Sequence, residues 1–404
     1  MGNMNALAPR MRSIKQSPTA AVSARARELK QQGQSIINLG EGELDFDTPD
    51  HVSEAGIAAI KDGETRYTPV AGTDELKKAI VDKFSRENGL QYEPQQVIAN
   101  AGAKQIIFNA LLATVGEGDE VIVPVPSWVS YPDIVTLCGG TPVLVSCGEE
   151  VDFKLTAGAL EAAITPRTKW LILNNPNNPT GSVYSADDMR ALGDVLVANP
   201  GVFILSDDIY EHIVYETPFA TIAHVEPALL DRTLTVNGVS KVFSMTGWRL
   251  GYAGGPKWLI DAIEVLTSQS TTNAASITQS AAVAALNGPL DFFAPRLEAL
   301  QKRRDTVLQM LPQTQGRLSS NTPKGAFYVY ANCAGMIGAK TPGGTRIESD
   351  VDAATYLLES AGVALVPGAA FNYSPYLRIA FAIDDENLKE ACERIVEACR
   401  RLMN

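Results

Sequence analysis

Nowhere in its 404 residues does the chain hold a hydrophobic run approaching about 18 residues, so no helix is expected to cross a membrane. Histidine is scarce. His51, His212 and His224 stand far apart, without metal-ligand spacing, which speaks against a zinc site. The five cysteines (Cys138, Cys147, Cys333, Cys392, Cys399) are odd in number and form no CxxC pair. They fit reduced thiols in a cytoplasmic protein better than a disulfide framework. Basic residues are in deficit, 34 Lys and Arg against 46 Asp and Glu, and the net charge of −12 disfavours a nucleic-acid surface. No GxGxxG follows a strand, which removes a dinucleotide-binding dehydrogenase.

What is present describes a soluble globular chain: 45% hydrophobic and 20% charged residues. The length exceeds one ordinary core and suits two domains. Up to Arg27 there is no acidic residue, while Arg10, Arg12 and Lys15 are basic. This stretch lacks the apolar core of a secretory signal and the Ser or Thr that myristoylation requires. It reads as a short flexible arm.

From about residue 95 to 255, short apolar runs close in Gly, Pro, Asn or Ser and alternate with helix-like stretches such as Ser185–Leu196. The runs are Glu120–Val125, Trp170–Leu173, Val202–Leu205, Thr233–Val236 and Leu250–Ala253. Alternation of this kind predicts an α/β fold around a parallel sheet covered on both faces. Beyond about Asn287 the pattern changes to a helix at Leu297–Leu311, a strand at Gly325–Tyr330, a loop at Ala339–Thr345 and a strand near Leu377–Phe381. Leu388, Cys392, Ile395, Cys399 and Leu402 then form one apolar helix face, with Asp384 or Asp385 as its cap. The expected division is an arm plus part of a small domain (1–48), a large domain (49–290) and a small α+β domain (291–404).

Polar residues at strand ends carry the chemical signal. Asn178 follows the strand Trp170–Leu173, Asp207 closes Val202–Leu205, and Lys241 follows Thr233–Val236. Ligands of open parallel sheets bind beyond the carboxyl ends of the strands, so these side chains should converge.

Lys241 lies in Gly238-Val-Ser-Lys-Val-Phe-Ser-Met-Thr-Gly-Trp-Arg249-Leu-Gly251, which resembles the lysine motif of class I aminotransferases, within the fold-type I pyridoxal-phosphate (PLP) enzymes. The plain alternative is a solvated lysine. Asn174-Asn-Pro-Asn-Asn178-Pro-Thr-Gly181 resembles a second motif of that family, although a turn-rich loop would share its composition. The resemblance runs from about Ser17 to the C-terminus. It implies a large domain with a mostly parallel central sheet and a smaller α+β domain.

The resemblance further implies that Lys241 carries PLP as a Schiff base and moves the substrate Cα proton. A lysine can do this when burial or neighbouring cations lower its pKa. Asp207 would keep the ring nitrogen protonated, with Asp208 as its rival. Raising that nitrogen's pKa by about three units takes roughly 4 kcal/mol, within reach of a buried carboxylate. Tyr210 and Asn178 would bind the phenolic oxygen, and Trp128 would stack on the ring. Gly102, Ala103 and Lys104 at a helix start, with Ser240 and Arg249, would hold the phosphate. Tyr67 would reach a phosphate across the interface of a homodimer.

For substrate, the resemblance assigns Arg378 and Gly42 to the α-carboxylate, held bidentately. An arginine in an apolar strand needs a partner in any case, and a structural carboxylate would also serve. Leu44 stands where the family pattern has proline, which leaves the shape of that loop open. The chain is most similar to the bacterial and plastid-type aspartate aminotransferases, some of which use prephenate. There Lys104 and Lys15 would read the distal carboxylate of aspartate or glutamate, with a 2-oxo acid as acceptor. A PLP-dependent lyase or cyclase is the alternative, because the same lysine, aspartate and tyrosine would serve it. A PLP-binding regulator is disfavoured, since roughly 35 residues before Ile36 are too few for a DNA-binding domain.

Overall fold

The computed structural model describes residues 8–12, 14 and 18–403. Lys15 and residues 1–7 of the expected arm therefore lie outside the described residues, and the end of that arm, expected to be flexible, begins the helix Pro18–Gln31.

Twelve strands are named here in chain order: β1 (Ile37–Asn38), β2 (Val97–Asn100), β3 (Glu120–Val125), β4 (Thr141–Ser146), β5 (Thr168–Asn174), β6 (Phe203–Asp207), β7 (Thr233–Gly238), β8 (Gly251–Gly254), β9 (Tyr328–Asn332), β10 (Val363–Ala364), β11 (Val366–Pro367) and β12 (Tyr376–Ala380). The central sheet has the order β2-β8-β7-β6-β5-β3-β4. Its pairs are parallel except those of β8, which runs antiparallel to both β7 and β2. The sheet is thus mostly parallel, as expected, and Leu250–Ala253 supplies the reversed strand.

Apolar side chains explain the strands. Val121, Ile122 and Val123 of β3, Trp170, Leu171 and Ile172 of β5, and Ile204 and Leu205 of β6 are buried. Helices Ala103–Thr114 and Lys257–Ser268 pack Ile106, Ile107, Leu259 and Ile263 into the same core as Val121, Val123 and Trp170. Leu192 and Leu196 of the helix Ala186–Ala198 join Ile122, Leu171 and Ile204 in another core cluster. Ser185 caps that helix, accepting from Asp188 N.

The register aligns the functional edge. Asn174 pairs with Asp207, Asp207 with Val236, Gly238 with Gly251, and Gly251 with Asn100. The carboxyl ends of β2, β5, β6 and β7 therefore finish level with the start of β8.

A three-stranded antiparallel sheet, β11-β12-β9, places Arg378 opposite Tyr330 and Val366. β1 pairs in parallel with β10, and Ala380 N donates to Leu39 O at 2.8 Å, so residues 37–40 are held by the C-terminal elements. Asp384 caps the last helix through Asn387 N, and Asp385 is its first residue.

Several boundaries differ from the sequence expectation. The strand expected at Gly325–Tyr330 is Tyr328–Asn332; Gly325 and Ala326 are held beforehand by backbone bonds to Gly181 and Ile213. The helix expected to start at Leu297 starts at Phe293. β2 and β4 were not anticipated. β4 is a half-exposed edge strand whose Thr, Pro and Ser conceal its pattern.

Candidate functional site

At the carboxyl edge of the central sheet lies a cavity of about 550 Å³ lined by Lys104, Trp128, Asn178, Asp207, Tyr210 and Lys241, among others. Gly42, Ala103, Ser240, Arg249 and Arg378 also line it. Tyr67 does not; its side chain is 88% exposed. Gly102 is not a lining residue but supports one, as described below.

β6 ends by burying Asp207. The Tyr131 hydroxyl donates to Asp207 Oδ2 at 2.6 Å, and Ile209 N donates to Oδ1 at 3.3 Å. Burial pushes the Asp207 carboxyl up to about 6, against those hydrogen bonds and the charge of Lys241. Asp208 is buried as well and accepts from Ser206 Oγ at 2.7 Å, but it is absent from the cavity lining. The neighbours are therefore distinguished by geometry, and Asp208 is neither a helix cap nor a surface acid.

Lys241 is half-buried, not a solvated surface lysine. Its Nζ donates to Gly42 O at 2.5 Å and lies 5.5 Å from the Tyr210 ring centre. Loss of hydration lowers its pKa to about 8; Glu43 opposes the shift, and Arg378 adds to it. The Tyr210 hydroxyl meets Tyr328 at 2.9 Å and accepts from Asn178 Nδ2 at 3.5 Å.

Arg378 is buried in β12. Nη1 donates to Asn178 Oδ1 at 2.9 Å and Nη2 to Gly40 O at 2.7 Å. Its guanidinium lies 4.6 Å from the Tyr328 ring centre and 5.1 Å from that of Phe371. Burial lowers its pKa, and its hydrogen-bond partners among the described residues are Asn178 and Gly40, not a carboxylate. The alternative of a structural carboxylate finds no partner for this arginine among the described residues.

The glycines at the helix entry are there for space. Gly102 adopts φ +93°, and a Cβ on it would stand 2.5 Å from Arg249 Nη2. A Cβ on Gly251 would meet Ala103 N at 2.1 Å. Arg249 itself has φ +55°, and its Nη1 donates to Thr246 O at 2.8 Å. Lys104 Nζ lies 4.6 Å from the Trp128 ring centre, and partial burial with the Arg249 charge lowers its pKa.

Sequence reasoning missed Tyr131, Tyr328, Thr246 and the exposed acids Glu41 and Glu43. Tyr131 follows Trp128 at helical spacing, and the two rings meet edge to face at 5.2 Å. Tyr328 and Tyr330 share a strand face with Arg378, a signal available from strand alternation.

A mostly parallel sheet with a ligand cavity at its carboxyl edge, roofed by a smaller antiparallel sheet, is the architecture of fold-type I PLP enzymes. Residues 34–395 match the family "Aminotransferase class I and II", and the chain belongs to it. It is 54% identical over 396 residues to an aspartate aminotransferase of Rhizobium meliloti, covering 98% of this chain and 96% of that one. It is also 54% identical to an aspartate/prephenate aminotransferase of Cereibacter sphaeroides, covering 96% and 97%. The crystal structure of the aspartate aminotransferase from Rhizobium meliloti superposes with a TM-score of 0.95 at 54% identity over 98% and 99% of the chains. That of the Thermus thermophilus enzyme with maleate gives 0.91 at 42% over 97% and 99%. The protein is a PLP-dependent aminotransferase.

The side chains present fit that cofactor. The first N–H groups of the helix Ala103–Thr114 have no intrahelical acceptor, and Ala103 and Lys104 line the cavity, as suits a phosphate. Asp207 offers a buried carboxylate to a cationic ring nitrogen. Arg378 Nε is buried without a hydrogen-bond partner, a donor ready for a carboxylate.

Proposed function

We propose that the enzyme transfers the amino group of a dicarboxylic amino acid, aspartate or glutamate, to a 2-oxo acid, and that it works as a cytoplasmic homodimer. The observation that carries this reading is the convergence of Lys241, Asp207, Asn178, Tyr210 and Arg378 on one cavity. The names of its relatives and the maleate in the Thermus thermophilus structure support the dicarboxylic class. The division of the chain at about residues 48 and 290 belongs to the same reading.

In this reading Lys241 would hold PLP through its aldehyde, and Asp207 would hold the ring nitrogen. Asn178 and Tyr210 would bind the phenolic oxygen, and Trp128 would stack on the ring. Gly102, Ala103, Lys104, Ser240 and Arg249 form the phosphate cup, with Tyr67 contributed by a second copy. When bound, PLP supplies an electron sink that makes the substrate Cα–H acidic. The chain's own groups do the rest. Arg378, together with the Gly42 backbone, would fix the α-carboxylate and so orient Cα toward Lys241. Two charge-assisted bonds of about 1.5–3 kcal/mol each would make loss of Arg378 very damaging. Lys241 Nζ, whose pKa of about 8 leaves a minority of it neutral at about pH 7.4 where an ordinary lysine is almost wholly charged, accepts the Cα proton.

In the same reading Lys104, which lines the cavity beside Trp128, reads the distal carboxylate. A panel of amino donors crossed with 2-oxoglutarate, oxaloacetate, pyruvate and prephenate tests the reading. Lys104→Ala is expected to lower kcat/KM for aspartate by tenfold or more while sparing alanine; unchanged aspartate turnover would remove Lys104 from the role.

A further inference from the structure

Beneath the turn that carries Asp207 and Tyr210 lies a buried charge network outside the cavity. The helix Asp74–Lys83 runs on into a π-helical turn, Phe84–Asn88, closed by Gly89 at φ +65°. In a π turn the hydrogen bonds reach one residue further than in an α-helix, which brings side chains five apart onto one face. Lys83 and Asn88 meet in this way: Lys83 Nζ donates to Asn88 Oδ1 at 2.7 Å. Both also reach Glu211, the residue after Tyr210. Lys83 Nζ forms an ion pair with Glu211 Oε1, and Asn88 Nδ2 donates to Oε2 at 2.5 Å.

The centre of the network is closed to solvent, and Glu87 and His212 at its edge are half-buried. Lys83 is 1% and Glu211 6% exposed. Glu87 Oε2 lies 3.7 Å from Lys83 Nζ and 3.1 Å from His212 Nε2, while His212 Nδ1 lies 3.5 Å from Glu211 Oε1. Glu87, Glu211 and His212 have the spacing of a metal site, which the scattered histidines did not suggest from sequence. The Lys83 ammonium stands between the two carboxylates and takes a cation's place.

A buried ion pair contributes little net stability over apolar residues of the same volume, so its use is better sought in geometry. The turn is short: Glu211 N donates to Asp208 O at 2.9 Å and Ile213 N to Tyr210 O at 2.8 Å. Movement of Glu211 is therefore transmitted to Tyr210, whose hydroxyl must keep its contacts with Asn178 and Tyr328.

We propose that Lys83, Asn88 and Glu211 are positioning residues that hold the Tyr210 hydroxyl in register with the cofactor, an inference resting on the role assigned to Tyr210 above. The test uses holoenzyme and follows the pH titration of the bound cofactor's absorbance, with kcat, KM and Tm measured in parallel. Tyr210→Phe is the reference, and the probe variants are Lys83→Met/Glu211→Met, which replaces the pair by apolar residues, and Asn88→Ala, which leaves the ion pair. The absorbance midpoint is expected to move in the direction seen for Tyr210→Phe, more in the double variant. The double variant should lose about tenfold in kcat with KM changed less than threefold. A purely structural network would move Tm alone, and parental midpoints and kcat in the folded variants would overturn the proposal. Should the double variant not fold, Asn88→Ala decides by the same criterion. If Tyr210→Phe itself leaves the midpoint in place, the assignment of Tyr210 fails instead.

Discussion

At the scale of single residues, the chemistry turns on the protonation of one amine. Lys241 sits among Arg378, Arg249, Asp207 and Glu43, and loss of hydration carries its pKa to about 8. The reactive form is the neutral amine, which dominates above that pKa. Capture of PLP by the apoprotein should therefore accelerate tenfold per pH unit below about 8 and level off above it. An ordinary lysine would keep accelerating to above pH 10. Glu43 favours the cation, so Glu43→Gln should move the midpoint down; an upward move would contradict the assigned charge balance. Asp207 was legible in sequence by its place at a strand end. Its distinction from Asp208 was legible only through the family motif, which sets Tyr210 three residues on; both are buried, and the strand's facing separates them.

Elements set the positions of these residues. The turn from β2 into the helix Ala103–Thr114 requires Gly102 at φ +93°, directly against Arg249. Gly102→Ala adds strain and pushes the Arg249 guanidinium aside, so the dissociation constant for PLP should rise at least tenfold, measured by fluorescence titration. An unchanged constant would separate this turn from phosphate binding. The buried strands β3, β5, β6 and β7 were readable as apolar runs, since a sheet covered on both faces demands them. β4 was not, because an edge strand carries polar residues on its open side. The reversal of β8 also left no local mark; strand direction depends on how the chain returns through Ser240–Leu250, which periodicity does not encode. Leu44 is half-buried against the main core cluster, and the loop around it is held from outside by Arg303 to Asp45 at 2.7 Å and Arg296 to Asp47 O at 2.8 Å.

For the whole molecule, the telling residue is Tyr67. Its motif resembles a phosphate-contacting tyrosine, yet within one chain it is exposed and outside the cavity. A dimer reconciles the two, and sedimentation should give twice the 43.3 kDa of one chain. A mixed dimer of Tyr67→Phe and Lys241→Ala chains tests the arrangement directly. If Tyr67 acts across the interface, the one intact lysine site receives tyrosine from its partner and binds PLP with parental affinity. Weakened binding there would place Tyr67 in its own chain's site. The proposed dimer rests on the family motif alone, since an exposed tyrosine by itself signals nothing.

The most direct measurement is chemical trapping. The purified protein, incubated with PLP and reduced with borohydride, should carry one cofactor mass on the peptide containing Lys241, and Lys241→Ala should carry none. A protein that stays colourless with PLP, or an adduct on a different lysine, would contradict the account.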